Sequence, residues 1–311
     1  MKKRKISIVT PCFNEKHNIK KLVSAVKRII LKLKSYDYEH IIIDNCSTDG
    51  TVSILENLAR LDKKVHVIFN ERNFGFSRSL FYGLTQASGD CAILLFSDFQ
   101  DPPDLIPKMI DEWSNDAAIV VCIKESSDEN LIKYSLRTLY YKIMKFLTNG
   151  AHLEHFTGFG LYDKKFINFI KKINDPNPYL RGLVADFGFR IKKISYKQKA
   201  RKYGNSNFSI SDSFDYAMHG LIANSFAPMR ILVVTGFITS LISFLIGVFY
   251  LTYKILNWDH FNDGYAGLAV AIFFIGSIQL LFLGLLGEYV CANLLQSRSR
   301  PLVIEKKRLN F

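Results

Sequence analysis

Cysteine, tryptophan and acidic side chains are scarce in this 311-residue chain, and each shortage excludes something. The five cysteines, Cys12, Cys46, Cys91, Cys122 and Cys291, show no paired spacing. That argues against a disulfide framework and the common zinc motifs, and it suits a reducing compartment. Cys12 and Cys46 read as small neutral fillers rather than ligands. Asp and Glu number 28 against 41 Lys and Arg, which leaves a formal net charge of +13. A basic balance invites a nucleic-acid partner, yet no zinc spacing, helix-turn-helix pattern or aromatic RNA-binding signature is present. There is no internal repeat and no low-complexity linker. Met1–Lys5 is basic, but the apolar stretch behind it is too short for a secretory signal.

What is present is an alternation of strand and helix signals through the N-terminal half. Ile6–Thr10, His40–Asp44, Val65–Phe69, Cys91–Phe96 and Ala117–Ile123 are short and rich in branched residues. Between them lie helical patterns. The clearest is Asn18–Lys34, with Ile19, Leu22, Val23, Val26, Ile29, Ile30 and Leu33 on one face and lysines on the other. This order predicts an α/β fold with a doubly wound, mostly parallel sheet. In such a sheet, ligands bind beyond the carboxyl ends of the strands. The polar residues there run from Pro11 to Glu15, from Asp44 to Asp49 and from Asn70 to Asn73. The run Cys91–Phe96 has the composition of a buried strand, and it delivers Asp98 and Asp101 to the same edge before Pro102-Pro103 starts a helix. Carboxylates in that position can hold a hard cation, and the cation can hold a diphosphate.

Several segments together resemble a family 2 glycosyltransferase: Val9–Glu15, Ile43–Thr51, Arg72–Gly75, Ala87–Asp90 and Ser97–Pro103. The Gln100-Asp101-Pro102-Pro103 form is similar to the polyprenyl-phosphate glycosyltransferases. That subgroup includes dolichol-phosphate mannose synthases and bactoprenol glucosyltransferases. The likeness continues through Phe159–Asp163, Pro178–Gly182 and Arg201–Gly204. It implies a GT-A fold and transfer of a sugar, with inversion, from a nucleotide donor to a polyprenyl phosphate. A uridine nucleotide follows only from the bacterial relatives. The resemblance assigns Pro11, Asn14, Glu15, Asp44 and Asn73 to the nucleotide, and Asp98 with Gln100 to a divalent cation, Mg2+ or Mn2+. It makes Asp98 and Asp101 catalytic. Arg181, Arg201 and Lys202 are the candidates for positioning the acceptor phosphate, and Asp186 is the candidate base or orienter. Lone His155 and His219 read as structural.

Three departures from the family pattern stand out. Phe96 occupies the first position of an Asp-x-Asp pair that many relatives carry, and Gly158 stands where other branches place an Asp. A lysine that often follows Arg-x-x-Gly is also missing after Ser206. These departures keep a second reading open, a membrane-tethered paralogue that binds nucleotide sugar without turnover. A third reading, a processive polysaccharide synthase, calls for Gln-x-x-Arg-Trp. The tryptophans are Trp113 and Trp258, and neither follows an arginine.

The last third is different. Ile231–Tyr253 and Tyr265–Gly287 each hold 23 residues without a charge. At 1.5 Å per residue, each is long enough for a hydrocarbon core of about 30 Å. The link between them carries one Lys. The tail beyond carries Arg298, Arg300, Lys306, Lys307 and Arg308, and a basic stretch from Arg190 to Lys202 precedes the spans. The expectation is therefore a catalytic domain at 1–208, a juxtamembrane amphipathic helix at 209–229, a two-helix hairpin at 230–288 and a basic tail at 289–311. Both ends would lie on the cytoplasmic side of a bacterial inner membrane. The anionic bilayer surface accounts for the net charge without nucleic acid. Self-association stays open.

Overall fold

The computed structural model describes residues 3–127, 153, 155–198, 227–256, 265–297 and 300–311. The chain divides into two compact units. One comprises Met1–Tyr216 with Arg298–Phe311, and the other comprises Ala217–Ser297.

The first unit is built on an eight-stranded sheet. Its strands are β1 (Arg4–Cys12), β2 (Tyr36–Asp44), β3 (Val65–Asn70), β4 (Cys91–Leu94), β5 (Ile119–Ser127), β6 (Phe156–Asp163), β7 (Ile191–Gln198) and β8 (Glu305–Leu309), in the spatial order β7-β5-β6-β4-β1-β2-β3-β8. Pairs β1–β2, β1–β4, β2–β3 and β5–β7 are parallel, whereas β4–β6, β5–β6 and β3–β8 are antiparallel. The expected doubly wound, mostly parallel sheet is therefore present, with antiparallel insertions. β1 and β2 are buried over their last seven residues because helices cover both faces.

α1 (Ile19–Lys32) turns Leu22, Val26 and Ile30 onto one face, where they meet Ile6, Ile8 and Ile93. α4 (Ile106–Ser114) adds Met109, Ile110 and Trp113 to the same cluster, after a single 3-10 turn at Pro103–Leu105. On the opposite face, α3 (Phe76–Gln86) packs Leu80, Phe81 and Leu84 against Val9, Ile41 and Ile43. α5 (Lys164–Ile170) places Phe166, Ile167 and Ile170 in that same layer. α2 (Thr51–Leu61) uses Leu55 and Ala59 to cover Ile42, Val65 and Val67. α6 (Leu180–Asp186) completes the described helices of this unit.

Two details differ from the sequence reading. β4 ends at Leu94 rather than Phe96, although the Leu95 amide still donates to the Val9 carbonyl at 2.9 Å. The segment read as a basic tail from residue 289 is not a tail throughout. Helix runs on to Ser297, and Glu305–Leu309 returns to the sheet as its edge strand. Charge counting could not show this, because Lys306, Lys307 and Arg308 alternate with nothing apolar.

Among the described residues, the second unit holds two long helices, α7 (Ala227–Leu256) and α8 (Tyr265–Ser297). They meet at Gly236, where an added Cβ would lie 3.3 Å from Cε2 of Phe282. Large apolar side chains on both, among them Val233, Phe237, Leu245, Phe274, Leu280 and Leu283, are exposed. Among the described residues, the window Phe274–Cys291 of α8 is long and apolar enough to cross a membrane. Gln279, within the second uncharged run, is exposed on α8. The juxtamembrane segment 209–226 and the link 257–264 lie outside the described residues.

Candidate active site

The loops after β1, β2 and β3 interlock through side chains. Asn14 has φ 55°, in the left-handed region. Its amide donates to Oγ of Ser47 at 2.8 Å, and its Oδ1 accepts the Thr48 amide at 2.8 Å. The Glu15 amide donates to Oγ1 of Thr51 at 3.0 Å, and the Thr51 hydroxyl donates to Oδ1 of Asp49 at 2.5 Å. Glu15 is itself buried, with Oε2 accepting from Nδ2 of Asn18 at 2.7 Å. Asn14 and Glu15 thus organise the first loop against the second.

Asn45 is the hub between the second loop and the third. Its Nδ2 donates to Oδ1 of Asn73 at 2.7 Å and to the Gly75 carbonyl at 3.3 Å. Its Oδ1 accepts from Nδ2 of Asn70 and from the Phe74 amide, both at 3.0 Å. The Asn70 Nδ2 also reaches Oγ of Ser79 at 3.1 Å. Asn73 therefore serves the loop with its side-chain oxygen. Sequence reasoning quoted Asn45 within a motif but gave it no role, and Asn70 likewise. The available signal was an Asn one residue past a strand-end Asp, a place where an amide can satisfy loop backbone on both sides.

Asp44 sits at the end of β2, opposite Cys12 of β1 in the ladder. It is buried, and Oδ2 accepts the Ser47 amide at 3.0 Å. Among the described residues its Oδ1 has no partner, and neither has the Oδ1 of Asn70 at the end of the adjacent strand. A buried acceptor left unpaired costs free energy unless a ligand fills it. Burial raises the Asp44 carboxyl, the Ser47 hydrogen bonds oppose that, and Asp49 adds to it. Burial first, then Asp44, Glu15 and Asp49, hold the Cys12 thiol protonated, which fits its reading as a neutral filler.

The fourth loop carries Asp98. Ser97 donates to the Pro11 carbonyl at 3.4 Å, which ties this loop to the end of β1. Asp98 is half-buried, and its Oδ1 accepts the Gln100 amide at 3.1 Å. Phe99 between them has φ 58° and Cys46 of the second loop has φ 67°, so non-glycine residues in the left-handed region mark three of these four loops.

Asp101 does something else. It is fully buried, and Oδ1 accepts a hydrogen bond from the Tyr196 hydroxyl on β7. Lys124 on β5 donates to Oε1 of Gln198 at 2.7 Å beside it. Burial pushes the Asp101 carboxyl up to about 6, against the opposing Tyr196 hydrogen bond and Lys124 charge. Asp101 is bound into this buried cluster and braces the loop that carries Asp98 onto β5 and β7.

Arg181, on α6, lines a small cleft with Phe76, Ser77, Leu80, Thr157, Gly158, Pro178 and Leu180. Two of the departures from the family pattern, Gly158 and Phe96, lie side by side here. Gly158 has φ 105°, and a Cβ there would lie 3.9 Å from Cζ of Phe96 and 3.4 Å from Cδ2 of Leu94. Phe96 in turn packs on Phe76, with ring centroids 5.5 Å apart. An aromatic ring thus lies over a glycine at two positions where relatives carry acidic residues. Asp186, at the far end of α6, is exposed, and among the described residues nothing hydrogen-bonds it. It does not line the cleft. Arg201 lies outside the described residues.

The Ala87–Asp90 motif is not part of this edge. Ser88 and Ser7 donate to buried Glu39, whose other oxygen accepts from Lys5 at 2.5 Å. An added Cβ at Gly89 would come within 2.7 Å of the Lys5 carbonyl. That motif closes the opposite end of the strands.

The model of glycosyl transferase family 2 matches residues 7–170, the span that holds all four loops. The chain belongs to glycosyl transferase family 2. A second family model, the GtrB C-terminal hairpin, matches residues 227–292 of the same enzyme, which covers α7 and most of α8. This glycosyltransferase is 30% identical over 304 residues to a prophage bactoprenol glucosyl transferase homolog of Escherichia coli K12, covering 97% of this chain and 99% of the other. It is 31% identical to a bactoprenol glucosyl transferase of Shigella phage SfV, covering 97% and 98%. A solved glucosyl-3-phosphoglycerate synthase of Mycobacterium tuberculosis, in complex with Mn2+, UDP and glucosyl-3-phosphoglycerate, shares the fold. The TM-score is 0.52 at 16% identity, over 70% of this chain and 78% of that one.

Proposed function

We propose that this enzyme moves a sugar from a uridine diphosphate donor to a polyprenyl phosphate, undecaprenyl phosphate, with inversion, for modification of a cell-envelope glycan. The observation that carries the donor half is the unpaired, buried Oδ1 of Asp44 at the end of β2, held by the interlocked loops. It is an acceptor waiting for the N–H of a base or the O–H of a ribose. The acceptor half draws on the names of the full-length relatives, on the apolar helix α8 and on the basic residues that flank the helices.

Asp98 fits a hard cation only in part. Among the described residues no group of three His, Cys, Asp or Glu could hold a metal. Mg2+ and Mn2+ sites on nucleotides need only one or two carboxylates, with phosphate oxygens and water completing the shell. A single carboxylate at a strand end suits that arrangement, so Asp98 would hold the cation, with Gln100 beside it. A bound cation supplies neutralisation of the leaving diphosphate. Asp44 and Asn14 keep the nucleoside in register. The acceptor phosphate has a second pKa of about 6, so it is largely dianionic at neutral pH. One of its oxygens forms the bond to the anomeric carbon as the bond to the nucleoside diphosphate breaks, and no base is needed. That leaves Asp186 without a task and makes charge placement by Arg181 and Arg201 the protein's contribution.

The test is lipid-dependent transfer by the Arg201→Ala variant beside a calorimetric UDP titration. A charged contact to phosphate is worth about 1.5–3 kcal/mol, or roughly ten- to a hundredfold. The apparent acceptor KM should rise, or kcat fall, by that factor, with UDP binding nearly unchanged. Equal loss in both measurements would place Arg201 on the donor diphosphate instead. No loss in either would remove it from the site.

A further inference from the structure

We propose that residues 302–311 are a latch that positions the nucleotide loops, beyond covering a sheet edge. The premise is the donor-site reading above. An edge strand needs only a ladder to blunt exposed N–H and C=O groups. This one has the ladder, pairing Val67 with Leu309, Ile68 with Arg308 and Phe69 with Lys307. It then does more at both of its ends.

At the carboxyl end of β3, the register shifts between Phe69 and Asn70, and Asn70 pairs with Glu305. The extra residue, Lys306, lies on β8, so the bulge bends the edge strand around the end of β3. The next amide, that of Glu71, donates to the Ile304 carbonyl at 2.9 Å. Asn70, paired with Glu305 across this bulge, holds Asn45 and through it Asn73, Phe74 and Gly75. One backbone hydrogen bond therefore separates the latch from the hub of the site.

Glu305 and Arg308 clamp α3, the helix that the third loop enters. The Tyr82 hydroxyl donates to Oε1 of Glu305 at 2.7 Å, and Nη2 of Arg308 donates to Oε1 of Gln86 at 3.0 Å. Nε of Arg308 donates to Oε2 of Glu305 at 2.9 Å, so the pair acts as one unit. At the other end, Lys307 pairs with Glu56 of α2 at 2.9 Å. Asn310 donates from Nδ2 to the carbonyls of Ala59 at 2.6 Å and Val65 at 2.8 Å, which caps the end of α2. The segment thus grips α2, β3 and α3, and each of these adjoins a nucleotide loop. The residues are positioning groups, since none belongs to the loops themselves.

The experiment uses the full chain in detergent, the double variant Glu305→Ala/Arg308→Ala and a deletion of 302–311. Two readouts run in parallel: hydrogen exchange of the amides 71–75, and UDP affinity by calorimetry. A synthetic peptide of residues 300–311 is added in trans to the deletion. The latch requires at least tenfold faster exchange at 71–75 in both variants and about tenfold weaker UDP binding, with both effects reversed for the deletion by the peptide. Unchanged exchange in the double variant overturns the proposal. So does faster exchange with unchanged UDP affinity, which would leave the strand a plain edge cover. If the wild type fails to bind UDP, the donor reading has failed, and exchange at 71–75 still decides whether the latch holds the loop.

Discussion

Replacing Asn45 by alanine tests whether one amide organises the donor edge. The change removes four hydrogen bonds, two donated by Nδ2 and two accepted by Oδ1. The damage to the remaining groups is uneven. Asn70 keeps Ser79, and Asn73 keeps the Gly75 amide at 2.9 Å. The Phe74 amide loses its acceptor in a part-buried place. At about 1 kcal/mol net per bond, with partial rescue, the cost is about 2–4 kcal/mol. For a unit of this size that is a fall in Tm of roughly 5–12 °C. Asn45→Asp is the sharper variant. It keeps the shape and the two accepted bonds, but it sets oxygen against the Oδ1 of Asn73 and the Gly75 carbonyl. Both variants should weaken nucleotide binding by at least about tenfold, since a loss of roughly 1.4 kcal/mol suffices. The assays are thermal unfolding in detergent without nucleotide, and a UDP titration. A Tm within a degree of wild type for both variants, with unchanged affinity, would refute the hub role. Loss of stability with unchanged affinity would reduce Asn45 to a structural amide.

Asp98→Asn should lower sugar transfer by at least roughly 10²-fold while leaving Tm unchanged, and chelation should silence the wild type; full activity in excess chelator would remove the cation from the scheme. His40 is wholly buried beside Thr10, and burial holds its imidazole down at about 3. Its ordinary value is 6.5. The unfolded chain then takes up a proton that the folded one refuses, so stability falls as pH drops below 6.5, by about 2 kcal/mol at pH 5. His40→Gln should flatten that slope, and an unchanged slope would assign it to other groups. Glu39→Ala strips the acceptor from Lys5, Ser7 and Ser88 and should cost about 3 kcal/mol in denaturant unfolding. The Glu39 carboxyl is held below its ordinary value by the Lys5, Ser7 and Ser88 hydrogen bonds, which outweigh burial, so its contribution is present at neutral pH and lost in acid. A single cysteine at position 262 in a cysteine-free background should react with an impermeant thiol reagent from outside the cell; protection there would reverse the topology expected from the charge flanks.

The sequence by itself determined the layers and the location of the edge. β1 to β4 are runs of branched apolar residues because helices cover both faces, and that pattern is local. Asp44, Asn14 and Asp98 fall where those runs stop, so their placement at the carboxyl edge was legible without contacts. The family likeness was legible for the same reason, since its motifs are the loops at strand ends. What the tertiary structure decided were the pairings across chain distance. Asp101 looked equal to Asp98, three residues away, but Tyr196 and the apolar wall beneath β5 and β7 take it into the core. Asn45 looked like an ordinary loop residue until Asn70, Asn73 and Phe74 converged on it. Phe96 and Gly158 looked like separate losses of charge, and only packing shows one ring resting over the other's missing side chain. The segment 305–309 has no apolar alternation, so its strand is specified by β3 and by side chains of α2 and α3 that local pattern does not encode.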